Sequence, residues 1–194
     1  DFFVFSKIST DAVNIWHYLE KADFKLIDTN VKFELHGILP NIRKKNKDID
    51  ICFAEKKDQT AVGNIAKNNF IYSRFHLDPM IGNNIANQLK QRWVENYFLG
   101  NRGDEMVLAL LHNEPVGFLQ LRIKKNELFI DLIGVDKKAQ GNGIASAMIQ
   151  FASQNIKHSL IKVGTQIGNI PSIKLYQKLN FLFRPTNFCL VEEI

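Results

Sequence analysis

Gln140-Gly141-Asn142-Gly143-Ile144-Ala145 lies between a strand-like apolar run over 127–135 and an apolar-periodic run over 144–155. Strand, glycine-rich turn and helix in that order predict a helix N-terminus cleared of side chains. The first N–H groups of a helix have no intrahelical partner, and the helix dipole adds a positive field there, so such a turn suits an anion. The spacing Gln-x-x-Gly-x-Ala lacks the Lys-Ser/Thr end of a nucleotide P-loop and the third glycine of a dinucleotide fingerprint. Taken alone, it equally fits an ordinary glycine-rich helix start.

A second stretch, Asn169-Ile-Pro171-Ser172-Ile-Lys-Leu-Tyr176-Gln-Lys-Leu-Asn180-Phe181, predicts a helix over 170–179. Pro171 suits a first helical turn, where a missing N–H costs nothing. Asn169 and Tyr176 stand seven residues apart, two helical turns, and so share a face.

Together the two stretches resemble the GCN5-related N-acetyltransferases, matching their pyrophosphate loop and their Asn-x-x-Ala/Ser-x-x-x-Tyr-x-x-x-Gly-Phe element in the same order. The resemblance implies acetyl-CoA as co-substrate, bound by the backbone of Gln140, Gly141, Asn142, Gly143, Ile144 and Ala145. It implies that Asn169 bonds the pantetheine arm and that the Tyr176 hydroxyl faces the sulfur as general acid. It further implies that pantetheine fills a gap between two splayed strands, bonding backbone near Ile133 and Val135. Asn180 replaces the usual glycine, and both residues tolerate the left-handed conformation that ends a helix.

Composition agrees with one full globular domain, or with one domain plus a small appendage. Of 194 residues 45% are hydrophobic and 23% charged, and no apolar run approaches a membrane span. The opening residues do not read as a signal peptide, and a start at Asp1-Phe2-Phe3 without Met leads us to expect further residues upstream. Cys52 and Cys189 sit in strand-like runs and are expected to fill core in a reducing cytoplasm. Five scattered histidines offer no metal pattern. A net charge of +5 favours an acidic ligand. The cluster Arg43-Lys44-Lys45-Asn46-Lys47 has no aromatic interleaving and reads as a solvated loop rather than a nucleic-acid surface. The sequence does not fix the oligomeric state, and a homodimer is compatible with it.

Along the chain, periodicity predicts a helix over 10–21 and extended chain over 24–35, with a basic connection after them. A strand follows at 49–54, then helices at 59–67 and 85–98, the latter with Leu89, Trp93 and Tyr97 in register. Residues 68–84 read as irregular. Strands are expected at 106–111, 116–122 and 128–135, a helix at 144–155, a strand at 160–165, and two closing strands at 181–183 and 188–191. Gly134, inside a strand, is expected to mark a bulge. The order is that of the acetyltransferase fold: an α/β (α+β) arrangement with a mixed, mostly antiparallel sheet splayed between its fourth and fifth strands and helices on both faces. Residues 1–47 are assigned to a small N-terminal α/β subdomain and residues 48–194 to the acetyltransferase domain. Lys21, Phe24, Thr29, Asn30 and Phe33 echo Lys178, Phe181, Thr186, Asn187 and Leu190, either as a decayed copy of the C-terminal unit or as a chance likeness of helix-to-strand junctions.

Three further stretches resemble one branch of the superfamily, the dTDP-fucosamine acetyltransferases of bacterial surface-glycan synthesis. They are the extended segment 24–35, Ser73-Arg74-Phe75 with Arg92-Trp93-Val94-Glu95-Asn96, and Thr165-Gln166-Ile167-Gly168-Asn169. This resemblance implies an acceptor that is the 4-amine of a dTDP-4-amino-4,6-dideoxyhexose. Arg74 is a candidate partner for its diphosphate or else a structural ion-pair residue, and Phe75 stacks on the ligand or packs in the core. No Cys or Ser is placed relative to a His in the pattern an acyl-enzyme requires, so direct attack by the amine is favoured over a covalent route. The base is either Asp131, assigned the same strand face as Ile133, or a solvent relay. A peptide or small-amine acetyltransferase, or a non-catalytic coenzyme A-binding module, remain alternatives. An acidic acceptor cleft would favour the former and a missing Tyr176 the latter.

Overall fold

Residues 3–41 and 48–193 are described by the computed structural model, so the basic cluster at 43–47 and residues Asp1 and Phe2 lie outside it. One eight-stranded sheet organises them, in the order β1-β8-β2-β7-β6-β5-β4-β3. Its strands are β1 (Phe3–Ser9), β2 (Lys25–His36), β3 (Ile49–Phe53), β4 (Glu105–Leu111), β5 (Glu114–Lys124), β6 (Glu127–Val135), β7 (Leu160–Gln166) and β8 (Leu182–Glu193). The helices are α1 (Val13–Lys21), α2 (Gln59–Asn69), α3 (Arg74–Leu77), α4 (Asn83–Phe98), α5 (Ile144–Asn155) and α6 (Ile170–Lys178). All described neighbours pair antiparallel except β6 and β7, which run parallel.

Two expectations at the ends of the chain are corrected. Residues 3–9 form strand β1, and α1 begins only at Val13. The two closing strands are one, β8, because Pro185 falls where the register against β2 shifts between Lys32↔Arg184 and Asn30↔Asn187. At such an irregularity a missing N–H does not interrupt the ladder. The β4–β5 hairpin turns on His112 and Asn113, both at positive φ (52° and 64°), as a two-residue turn of right-handed twist requires.

The N-terminal strands join this same sheet, with β2 inserted between β7 and β8. Element bounds in β1-α1-β2 and β7-α6-β8 coincide at a constant offset of 157 residues (3 to 160, 13 to 170, 25 to 182). Helix ends match too. Asp23 and Asn180 both take left-handed φ, at 61° and 60°. Phe24 N–H donates to Leu19 O (3.0 Å) as Phe181 N–H does to Tyr176 O (2.9 Å). Asn30 and Asn187 face each other, so the units are related by an approximate two-fold passing between them.

The sheet carries a core on each face. On one face α5 and α6 cover Phe33, Val107, Leu119, Leu121, Leu128 and Ile161. On the other, α2 and α4 cover Met106, Leu108, Phe118 and Leu132. Strand β6 contributes to both through a bulge, which lies at Asp131 and not at Gly134. Register shifts between Leu121↔Ile130 and Gln120↔Leu132, leaving Asp131 as the extra residue. A bulge puts two successive side chains on one face. Asp131 therefore bonds Gln120 on the α4 side, while Ile133 packs in the α5 core, so the expected shared face of Asp131 and Ile133 does not exist. Gly134 is in register opposite Phe118, and its lack of a side chain has another cause. A Cβ there would stand 2.8 Å from the Phe118 ring, which is fully buried.

Gly134→Ala should accordingly force that ring off its position and destabilise the fold by about 1–3 kcal/mol. Thermal denaturation of Gly134→Ala with and without Phe118→Leu checks the cause. If the ring is responsible, the second change recovers part of the lost melting temperature.

Candidate active site

Strands β6 and β7 pair only from Glu127↔Leu160 to Ile130↔Val163. The ion pair Lys162–Glu127 (2.9 Å) fastens the paired end. Beyond the Asp131 bulge they diverge, and Gly164, Thr165 and Gln166 pair with β2 alone. Asp136 N–H donates to Val116 O (2.8 Å), so strand alternation turns the N–H and C=O of Ile133 and Val135 away from β5 and into the gap. The gap opens into a cavity of about 720 Å³ that reaches from Lys90 and Asp131 to the start of α5 and the cavity-facing side of α6.

The mouth of that cavity is the glycine turn. Gly141 (φ 80°) and Gly143 (φ 76°) are both left-handed, and Gly143 is the N-cap of α5. Glycine meets that conformation without strain. The helix's first backward bond is Ala147 N–H to Gly143 O (3.0 Å), so the N–H groups of Ile144, Ala145 and Ser146 point out of the helix start. Gln140 and Asn142 act with their side chains on the turn itself. Gln140 Nε2 donates to Val135 O (3.0 Å), and Asn142 Nδ2 donates to Ala139 O (3.1 Å). Gln140, Gly141, Gly143, Ile144 and Ala145 line the cavity, and Asn142 supports it from outside. Lys137, Lys174 and Lys178 also line it. Sequence reading missed these cations because Lys137 precedes the glycine turn and Lys174 and Lys178 fill unspecified positions of the second motif.

Asn169 caps α6, its Oδ1 accepting from Ser172 N–H (3.3 Å) and its Nδ2 donating to Thr165 Oγ1 (3.1 Å). It thereby ties the helix to the free half of β7. Tyr176 is 1% exposed, wedged between Phe33 and Phe181 with ring centroids 5.6 and 5.5 Å away, yet it lines the cavity. Burial pushes its phenol well above the ordinary range, so it keeps its proton at any physiological pH.

On the α4 side the charges are arranged around Asp131. Arg102 grips it through Nε (2.8 Å) and Nη2 (3.1 Å), Arg122 Nε lies 3.4 Å away, and Gln120 Nε2 donates to it at 3.1 Å. Both carboxylate oxygens of Asp131 are thus taken up by side-chain donors. Arg74 and Phe75 lie on α3 outside the cavity lining, where the Arg74 guanidinium stacks 3.4 Å from the Phe5 ring centroid and 4.6 Å from that of Phe75. Burial lowers the pKa of Arg74, and also that of His76. His76 bonds Asn87 Oδ1 through Nε2 (2.9 Å) and Ser73 Oγ through Nδ1 (2.6 Å), which fits a neutral imidazole donating from Nε2.

Lys90 is the residue the sequence reading passed over. The buried stripe of α4 runs Ala86, Lys90, Val94, one residue on from the expected Leu89, Trp93, Tyr97. A lysine at the centre of an i, i+4, i+8 apolar stripe was the available signal. It is 5% exposed and lines the cavity. Its Nζ lies 4.3, 5.2 and 5.7 Å from the ring centroids of Trp93, Phe70 and Phe75. Loss of hydration, with Arg102 and Arg74 nearby, pulls its pKa down to about 7 against the opposing pull of Asp131.

Among the described residues no group of His, Cys, Asp or Glu could hold a metal ion, and no helix is long and apolar enough to cross a membrane. Cys52 and Cys189 are free thiols, half-buried and buried.

The chain is 29% identical over 130 residues to the spore coat polysaccharide biosynthesis protein SpsD of Bacillus subtilis, a match covering 66% of this chain and 45% of that protein. The chain thus spans less than half the length of that curated relative. A conserved protein of unknown function from Staphylococcus epidermidis superposes with a TM-score of 0.73 at 16% identity, over 99% of this chain and 73% of its own. A GCN5-related N-acetyltransferase from Sphaerobacter thermophilus does so with a TM-score of 0.69 at 14% identity, over 98% and 59%. The family model described as acetyltransferase (GNAT) family matches residues 71–181, from the Ser-Arg-Phe segment through the glycine turn to the end of α6. The chain belongs to the acetyltransferase (GNAT) family.

Proposed function

We propose that this protein is an acetyl-CoA-dependent N-acetyltransferase whose acceptor is the 4-amine of a dTDP-4-amino-4,6-dideoxyhexose, serving surface-glycan synthesis in the cytoplasm. The observation that carries the catalytic part is the sharing of one cavity by three features. These are the Ile133 backbone and the Val135 N–H turned away from β5, the bare N-terminus of α5 and Tyr176. An acidic diphosphate fits the helix start with Lys137 beside it, and an amide-bearing arm fits the open strand edge.

When bound, acetyl-CoA supplies the thioester. The chain positions and polarises it. The outward N–H of Ile133 or Val135 donates to the carbonyl oxygen as negative charge develops there, a preorganised bond that needs no rearrangement. Tyr176, held protonated, delivers its proton to the departing sulfur. Arg102 and Arg122 outnumber Asp131 on the α4 side, a balance that suits an anionic nucleotide sugar better than a cationic peptide terminus. The segments that resemble dTDP-fucosamine acetyltransferases and the likeness to a polysaccharide biosynthesis protein support the same acceptor class. Residues 1–47 are read as a subdomain that copies the C-terminal unit without its ligand residues, since Ala12 and Leu19 stand where Asn169 and Tyr176 stand.

Gly143→Asp keeps a residue type that tolerates left-handed φ and adds a negative charge at the helix start. Acetyl-CoA affinity should fall roughly tenfold or more with the fold retained, read by calorimetry alongside circular dichroism. Near-normal affinity would remove the coenzyme from this turn. Tyr176→Phe should leave acetyl-CoA binding almost unchanged and lower kcat by roughly 10²-fold, the low end of general-acid effects because water substitutes in part. A change confined to KM would assign Tyr176 to binding. Thiol release should be fast with a dTDP-4-amino-4,6-dideoxyhexose and slow with the free amino sugar; equal turnover of a peptide amine would overturn the sugar reading.

A further inference from the structure

We propose that Lys90 is the general base that takes a proton from the acceptor ammonium before and during attack. This rests on the amine-acetylation reading above and supplies its missing base. An acceptor amine arrives largely protonated near neutral pH, and only its free lone pair attacks a thioester. A group in the acceptor cavity that accepts this proton raises the fraction of amine able to attack.

Lys90 is placed to do so. Its side chain comes off the buried stripe of α4 and lines the same cavity as Ile133 and Tyr176. Three aromatic rings, Phe70, Phe75 and Trp93, surround its Nζ, leaving it poorly hydrated. Asp131, the carboxylate that acts on it electrostatically, is already engaged by Arg102, Arg122 and Gln120 and forms no ion pair with it. The other charged or titratable groups facing it are Arg74 and His76 from α3 and Arg102 from beyond α4. Two of these are permanent cations that disfavour a third charge, and His76 is tied to Ser73 and Asn87. Ring faces return part of the cost of the ammonium form, which leaves Lys90 able to alternate between its two states. Its pKa, pulled down to about 7, agrees with that balance. Asp28 also moves toward neutrality, up to about 6 by burial, but does not belong to the cavity lining.

Protons balance as follows. One ammonium proton passes to the Nζ lone pair and then to water, and one stays on the amide nitrogen. The third, lost as the C–N bond forms and the C–S bond breaks, replaces the proton that Tyr176 gives to sulfur.

Because the base must be deprotonated, kcat/KM should rise with pH through about 7 and level off above it. Lys90→Met fills the same volume without a buried charge, so it should fold. Lys90→Arg retains the charge with no usable base. With acetyl-CoA and a dTDP-4-amino-4,6-dideoxyhexose, both variants should lose roughly 10²-fold in kcat/KM at pH 7.5 and lose that pH limb, with acetyl-CoA affinity unchanged by calorimetry. Full activity in Lys90→Arg with the limb intact would overturn the base role and leave only a charge role. The Lys90 side-chain amine, titrated by NMR in the protein alone, should show a midpoint near 7. A midpoint near the ordinary lysine value of about 10.4 overturns the proposal whatever the acceptor. Wild-type protein that turns over other amines but not the sugar overturns the substrate reading instead, and the variants are then read on the amine it does accept.

Discussion

Strand pairing that stops halfway is the constraint on which this molecule is built. Sheets satisfy backbone groups by pairing, and each buried N–H or C=O left alone costs about 1–3 kcal/mol. Beyond Ile130 and Val163 strands β6 and β7 forgo that pairing. Each strand is held apart from its neighbour by something else. The Asp131 bulge re-aims β6, and the Phe118 ring seated on Gly134 fixes it against β5. Strand β2 holds the free half of β7 from its other edge. Water or a ligand meets the open groups, so an amide-rich ligand that satisfies them replaces a poorly satisfied edge by a complete one.

A second constraint follows from the bulge. By turning Asp131 to the α4 face, it places a carboxylate among Arg102, Arg122, Gln120 and, farther off, Lys90. The ion-pair partners of Asp131 are the two arginines, which leaves the lysine as the group whose charge is negotiable. A buried ammonium with neither hydration nor a bound counter-ion is costly, and the direction of its pKa shift follows from that cost. Two buried groups that line the cavity are thus moved in opposite senses from the same cause. Desolvation keeps Tyr176 protonated and helps Lys90 to shed its proton.

How much of this was legible in the sequence depended on the range of the interaction. The glycine turn and the left-handed Asn180 are local rules, and each sits where spacing put it, whereas the capping of α6 by Asn169, read only as a pantetheine ligand, was not foreseen. Helix α5 was legible to the residue, because its apolar periodicity and its glycine start agree. The face of Asp131 was not, since a bulge depends on the partner strand and inverts every parity argument beyond it. Gly134 was misassigned for a related reason: the ring that demands it belongs to another strand. Strand β1 was passed over because its pairing is with β8, at the opposite end of the chain. Lys90 was hidden by convention, a lysine being counted as polar and so breaking the stripe that Ala86 and Val94 mark on either side of it.

The approximate two-fold shows which residues the fold itself needs. Both units keep the left-handed residue at the helix end, the phenylalanine after it and the paired asparagines at the axis, all of which serve backbone geometry. They differ where the ligand would lie. Lys7, Ala12 and Leu19 occupy the positions of Gly164, Asn169 and Tyr176. The first of these differences has its own physical reason. Strand β7 is interior and its glycine lies against the Asn30 side chain, 3.1 Å from where a Cβ would be. Strand β1 ends the sheet, and a lysine on an end strand discourages further pairing. The same supersecondary unit can therefore close one end of a sheet or hold open its middle, and three side chains mark the difference.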